Sequence, residues 1–213
     1  MSKSIADIRL DYKLESLMEA DVADDPIIQF GRWWDEAVSS KIVEVNAMTL
    51  ATSTKEGIPS ARVVLLKGFT AEGFIFYTNY QSHKGSEIEQ NPNVALVFFW
   101  KELERQVRIK GIAEKVSGEE SDNYFTSRPE GSKIGAWASP QSQTIETREW
   151  LETNYLIYAD QFEKQEIQRP AHWGGYIVKP QAIEFWQGRS SRLHDRIQYT
   201  KQQDNWRIDR LAP

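Results

Sequence analysis

The sequence predicts an α+β fold, a small and mainly antiparallel β-barrel with peripheral helices. Three observations carry that prediction. From Ala47 onward the chain falls into short runs rich in β-branched and aromatic residues: AMTLATST, ARVVLLK, GFIFYTN, VALVFFW and RQVRIKGIAEKV. The first of these runs are joined by KEGIP and TAEG, whose Gly and Pro suit hairpin turns between antiparallel strands. Helical periodicity is confined to the segments around them.

Taken in order, residues 1–25 are acidic and weakly amphipathic. Ile5, Ile8, Leu10, Leu14, Leu17 and Met18 are spaced as in a loosely docked helix, so the segment is expected to be a mobile lid. Asp25-Pro26 marks a helix start, with Asp25 as N-cap, and Ile27, Ile28, Phe30, Trp33 and Trp34 carry that helix to about Lys41. SHKGSEIEQNP reads as a short helix between two strands, capped by Ser82 and stopped before Pro92. Further helices are expected near 118–127 and 144–165. Strands follow around GGYIV and AIEFWQG, with a last pair around RIQYT and NWRID. No repeat, low-complexity tract or composition break marks a linker, so residues 1–213 are expected to form one domain.

Composition narrows the function. A chain of this size buries roughly 70% of its surface on folding, enough for a real core. With 40% hydrophobic and 27% charged residues, general disorder is excluded, and only 12 Gly and 8 Pro exclude a collagen-like chain. The absence of Cys removes disulfides, thiolate metal ligands and cysteine nucleophiles together. Without a signal-like h-region or about 18 consecutive apolar residues, the chain reads as cytoplasmic, with no membrane role. A net charge of −5 argues against nucleic-acid binding. The charge is uneven, however: residues 1–36 hold four basic and nine acidic side chains, whereas residues 189–213 hold six and three.

Three clusters could carry chemistry, each with a plain structural alternative. In SSRLHDR, Arg192, His194 and Arg196 alternate, so an extended strand would put all three on one face as an anion site, or as a solvated face. In ARVVLLK, a buried strand is bounded by Arg62 and Lys67; spacing five puts them on opposite faces unless the strand ends first. In YTNYQSHKGSEIE, Thr78, Ser82, His83 and Lys84 gather at a helix start, where free amides favour an anion or where Ser82 merely caps. No metal site is expected, because the three His are far apart and no HExxH occurs.

Several long motifs in order resemble those of the pyridoxamine 5′-phosphate oxidase family. They are ARVVLLK, FYTNYQSHK, LERQVRIKG, YFTSRPEGSKIGAWAS followed by PQSQ, FWQGRSSRLHDR and WRIDRLAP, which together span nearly the whole chain. The resemblance implies a homodimeric FMN-binding split barrel with FMN at the subunit interface. Carried over by position, the FMN site comprises Arg62, Lys67, Tyr77, Thr78, His83, Lys84, Gln106, Gln141, Ser142, Trp186 and Arg196. The substrate site comprises Lys67, Tyr124, Arg128 and Ser132 at the phosphate and Arg192 and His194 beside the pyridine ring, with Arg9 and Tyr12 folding over as a lid. Arg192 and His194 are the catalytic candidates, acting by orientation and electrostatics, with a proton-acceptor role for His194 left open.

The implied reaction is oxidation of pyridoxamine 5′-phosphate or pyridoxine 5′-phosphate to pyridoxal 5′-phosphate, with a hydride passing from C4′ to FMN and O2 accepting the electrons as H2O2. Two alternatives stand beside it: a split-barrel flavoprotein with another substrate, and a non-enzymatic carrier of FMN or pyridoxal phosphate. One departure matters. His83 stands where the family commonly has Arg, and an imidazole changes charge near neutrality, so weaker or more pH-sensitive FMN binding is expected.

Overall fold

The computed structural model describes residues 4–8, 10–203 and 205–213. Its helices are α1 (Pro26–Ser39), α2 (His83–Gln90), α3 (Gly118–Thr126), α4 (Glu130–Ala138) and α5 (Arg148–Phe162). Its strands are β1 (Ala47–Ser53), β2 (Pro59–Leu65), β3 (Gly68–Thr70), β4 (Gly73–Asn79), β5 (Asn93–Trp100), β6 (Arg105–Lys115), β7 (Trp173–Gln187), β8 (Asp195–Gln202) and β9 (Asn205–Arg210). The chain divides into two compact units. The residues up to Thr49, Ala95–Lys110 and Pro180–Pro213 form one; Leu50–Val94 and Gly111–Lys179 form the other.

In the first unit, the end of β7 pairs antiparallel with β8, with Trp186 opposite Arg196, and β8 pairs antiparallel with β9. α1 starts where Asp25 accepts from the amides of Ile27 and Ile28 at 2.7 and 3.1 Å, with Pro26 in the first turn. Its buried face holds Pro26, Gln29, Phe30, Trp33 and Ala37, the spacing of a helix packed on one side. Phe30 meets Phe98 and Trp100, and Trp33 meets Phe185 edge-on at 5.2 Å, so the aromatics supply a large share of this core.

The N-terminal segment corrects the sequence reading. In place of a docked helix there is one short 3-10 turn (Ile5–Asp7) and then mostly irregular chain. Residues 13–17 are held by remote side chains: Glu104 Oε2 accepts from the amides of Lys13 and Leu14, Asp195 Oδ2 accepts from Leu17, and Arg189 donates to the Glu15 carbonyl at 2.9 Å. Those distant acceptors satisfy amides that a helix would have satisfied internally.

In the second unit β4 pairs antiparallel with β3 on one side and with the start of β7 on the other, with Phe76 opposite Tyr176. Flanked on both edges, it is buried almost throughout. β2 corrects a second expectation: its residues alternate between exposed and half-buried, and Val63 stays 67% exposed, so this apolar run is not a buried strand. The separate strands expected around GGYIV and AIEFWQG are one strand, β7, continuous through Pro180. Helix α4 adds an element that the periodicity did not suggest; it begins after Pro129, which ends the previous helical turn.

Candidate active site

The second unit contains a cleft of about 650 Å³ whose wall, among the described residues, holds Arg62, Lys67, Lys84 and Arg128 but no carboxylate. Local chain geometry explains how they meet. Arg62 sits on β2, which ends at Leu65; Lys67 lies beyond that end, its amide donating to the Ile75 carbonyl at 2.8 Å. The strand end breaks the alternation that would have separated the two side chains. Lys84 comes from the first turn of α2, which Ser82 caps through the Gly85 amide.

Lys84 is 8% exposed, and its Nζ donates to Thr78 Oγ1, Ser82 Oγ and Gln141 Oε1 at 3.1–3.2 Å. All three are neutral acceptors. Burial, with the Arg62 charge added, pushes its pKa down to about 8. A buried ammonium without a counter-ion gains most from an incoming anion. Gln141 also accepts from Thr78 at 3.1 Å, which ties the loop after α4 to β4. His83, on the same turn of α2, is exposed and outside the cleft wall, and Ser142 follows Gln141 with a left-handed φ of 71°.

The other end of the wall is aromatic. Tyr77 stacks on Tyr124 with centroids 3.8 Å apart, and Trp173 lies parallel to both. Burial, with Glu120 next, pushes the Tyr77 phenol up to about 12, so it stays protonated. The Arg128 guanidinium lies 4.5 Å from the Trp173 ring centroid, and its Nη1 is buried without a hydrogen-bond partner among the described residues. Burial lowers its pKa. Tyr124 lies on α3, Arg128 in the turn before Pro129 and Ser132 on α4, so this helix-turn-helix gathers the three around the cleft. The orphaned Arg128 donor, the buried Lys84 and an acid-free wall form a donor set that fits phosphate.

The first unit holds a second cluster. Trp186 and His194 lie 4.6 Å apart, and the Tyr12 ring packs edge-on against Trp186 at 5.8 Å. Tyr12, Arg192 and His194 also line a hollow of about 480 Å³ with Arg189. His194 Nδ1 accepts from the Arg189 amide at 3.0 Å, so the neutral ring carries its proton on Nε2 and offers it as a donor. Burial, then the Arg192 charge, lowers its pKa, which favours that neutral form at pH 7. Arg196 is held by Glu184 at 2.8 Å and donates to the Ala212 carbonyl, and Gln106 is half-buried on β6.

The shared strand face expected for Arg192, His194 and Arg196 is not formed. Ser191 and Arg192 occupy a turn with φ of 58° and 62°, and β8 begins only at Asp195, so Arg196 alone of the three is in a strand. Left-handed backbone at a non-glycine residue is strained, and it re-aims Arg192 away from simple alternation. Arg9 lies outside the described residues. Trp173, which also lines the cleft, carries no sequence signal beyond core packing, being one aromatic at the start of a β-rich run.

Residues 34–156 match the family model for pyridoxamine 5′-phosphate oxidase, and residues 173–213 match the pyridoxine 5′-phosphate oxidase C-terminal dimerisation region. The chain belongs to the pyridoxamine 5′-phosphate oxidase family. Among its relatives, the pyridoxine/pyridoxamine 5′-phosphate oxidase of Nostoc sp. strain PCC 7120 is 57% identical over 100% of both chains. Among solved structures, PhzG of Burkholderia lata, in complex with tetrahydrophenazine-1-carboxylic acid, is 29% identical with a TM-score of 0.88 over 94% of this chain and 99% of its own. A pyridoxamine 5′-phosphate oxidase-related, FMN-binding protein of Nostoc punctiforme shares the fold, at 16% identity and a TM-score of 0.67 over 84% of this chain and 94% of its own. The α+β split-barrel class expected from the sequence is therefore the fold of this family member.

Proposed function

We infer that the chain is an FMN-dependent oxidase converting pyridoxamine 5′-phosphate and pyridoxine 5′-phosphate to pyridoxal 5′-phosphate in vitamin B6 metabolism. The observation that carries this reading is the acid-free cleft with Arg62, Lys67, Lys84 and Arg128 in its wall beside stacked aromatic rings. Flavin and substrate each bring a phosphate and a flat ring, and four cations with a π-surface suit two such ligands.

Thr78, Lys84 and Gln141 form one hydrogen-bonding group that, with Arg62 in the same wall, suits the FMN phosphate, and Tyr77, His83 and Ser142 are assigned beside it. Tyr124, Arg128 and Ser132, which line the same cleft, are assigned to the substrate phosphate, with Lys67 serving either ligand. The family resemblance adds Gln106, Trp186 and Arg196 to the flavin set, and Arg192, His194, Tyr12 and Arg9 to the substrate set. The reading also includes a homodimer with the flavin at its interface, an assembly supported by the C-terminal dimerisation region. Residues 1–25 then act as the lid of a single split-barrel domain.

Bound FMN would supply the two-electron oxidation at C4′ with O2 as terminal acceptor, and for the amine substrate water would provide the aldehyde oxygen while the nitrogen leaves as ammonia. The protein's share is positioning. Arg128 and Ser132 anchor the phosphate, fixing the distance of the reacting carbon from the flavin site. His194 offers its Nε2–H as a donor while Nδ1 is occupied, and Arg192 contributes positive charge beside it. Fold alone does not choose the substrate, since the Burkholderia relative was solved with a phenazine carboxylic acid. The cations assigned to the substrate support a phosphorylated one, because a phosphate dianion takes up more charged donors than a carboxylate.

The test is formation of pyridoxal 5′-phosphate in air by purified protein supplied with FMN, from each substrate in turn. Sustained turnover with both substrates is expected. FMN occupancy without turnover would overturn the oxidase reading in favour of a carrier or another reaction.

A further inference from the structure

Glu87 lies outside the cleft wall, yet it holds a cation of that wall from behind. It follows His83 by one turn of α2, so the two share a helix face. Its side chain is 3% exposed, with Oε1 lying 3.5 Å from His83 Nε2. Its Oε2 accepts from Ser60 Oγ at 2.6 Å and from Thr52 Oγ1, and lies 3.4 Å from Arg62 Nη2. Arg62 in turn donates from Nη1 to the Leu50 carbonyl and Thr52 Oγ1, and from Nη2 to Ser60 Oγ.

The polarity of this network runs one way. Each hydroxyl has a single proton; Thr52 and Ser60 give theirs to Glu87 and so present lone pairs to Arg62. The carboxylate thereby orients the guanidinium directly and through two relays. Electrostatically the arrangement is unexpected, since a buried negative charge behind an anion site opposes the anion. Its compensating effect is geometric.

We propose that Glu87 is a positioning residue for the flavin phosphate, holding the Arg62 guanidinium in a fixed plane toward the cleft through Thr52 and Ser60. This rests on the FMN assignment above. It requires Glu87 to act on phosphate recognition and through Arg62, not on the fold at large.

Titration of flavin-free protein with FMN and with riboflavin, which lacks the phosphate, separates these effects through quenching of flavin fluorescence. Glu87→Gln and Ser60→Ala are each expected to lose about tenfold in FMN affinity while riboflavin affinity stays constant, the scale of one charge-assisted contact. Adding Glu87→Gln to Arg62→Met should cost nothing further, because both remove the same interaction. Ser60→Ala keeps the test open should Glu87→Gln not fold. Unchanged or tighter FMN binding in both single variants would overturn the proposal, as would equal losses for FMN and riboflavin. A wild type that prefers FMN alongside unaffected variants refutes the positioning role alone; a wild type without that preference removes the FMN assignment as well.

Discussion

At the scale of single residues, the informative feature is charge held without a partner of opposite sign. Among the described residues Lys84 donates only to neutral acceptors, with its pKa lowered to about 8 by burial and Arg62. An arriving phosphate dianion raises that pKa again, so above pH 8 binding must take up a proton. FMN affinity should therefore be full below about pH 8 and fall as pH rises beyond it, by up to about tenfold per unit until the bound-state pKa is reached. Lys84→Met should bind FMN more weakly and lose that slope between pH 7.5 and 9.5, measured by the same flavin titration. Parallel curves for the two proteins would refute the assignment.

The cations themselves were legible in the sequence; their grouping was only partly so. Arg62 and Lys67 looked opposed by strand alternation, and the end of β2 at Leu65 resolves that conflict. Arg192 and His194 looked like strand neighbours of Arg196, and two left-handed residues place them in a turn instead. Glu87 gave no signal, because an acid on a short polar helix reads as solvent-facing until tertiary packing buries it. The motifs quoted for the family named most of the cleft wall, but Trp173, the platform for Arg128, lay outside them.

At the scale of elements, β-structure was the clearest part of the sequence. Short β-branched runs separated by Gly and Pro turns give β1, β2, β4, β5 and β6 within a few residues but not the three-residue β3, and Gly57 adopts the positive φ of 84° that the KEGIP turn requires. α1 was equally plain, since its cap, its proline and its apolar spacing agree. α4 was missed because EGSKIGAWA holds two glycines and shows little apolar period. The N-terminal segment was misread as a helix because its partners, Glu104, Arg189 and Asp195, are remote in sequence.

That segment carries a prediction of its own. Gly188 lets the Tyr12 ring close, because a Cβ there would lie 2.7 Å from Tyr12 Cγ and Cδ2. Gly188→Ala should displace Tyr12 and release the segment, raising proteolytic cleavage within residues 10–20 by roughly fivefold, equivalent to about 1 kcal/mol of local opening. Thermal stability should change by no more than about 3 °C, as the buried aromatic core is untouched. Unaltered cleavage would show that Tyr12 does not pin the N-terminal segment.

At the scale of the whole molecule, family membership and cleft chemistry point the same way by independent routes. The chain is 57% identical over its full length to a pyridoxine/pyridoxamine 5′-phosphate oxidase, and its second unit, taken alone, contains a cleft lined by four cations and stacked aromatic rings. The central claim is that this cleft recognises the phosphate of a B6 vitamer. Its most direct test compares kcat/KM for pyridoxamine 5′-phosphate with that for pyridoxamine, using FMN-loaded protein in air. A preference of at least about 100-fold for the phosphorylated amine is expected, the worth of roughly 2.7 kcal/mol from charge-assisted contacts. Equal efficiencies would contradict the claim, since Arg128, Lys67 and Ser132 would then contribute nothing to choosing the substrate.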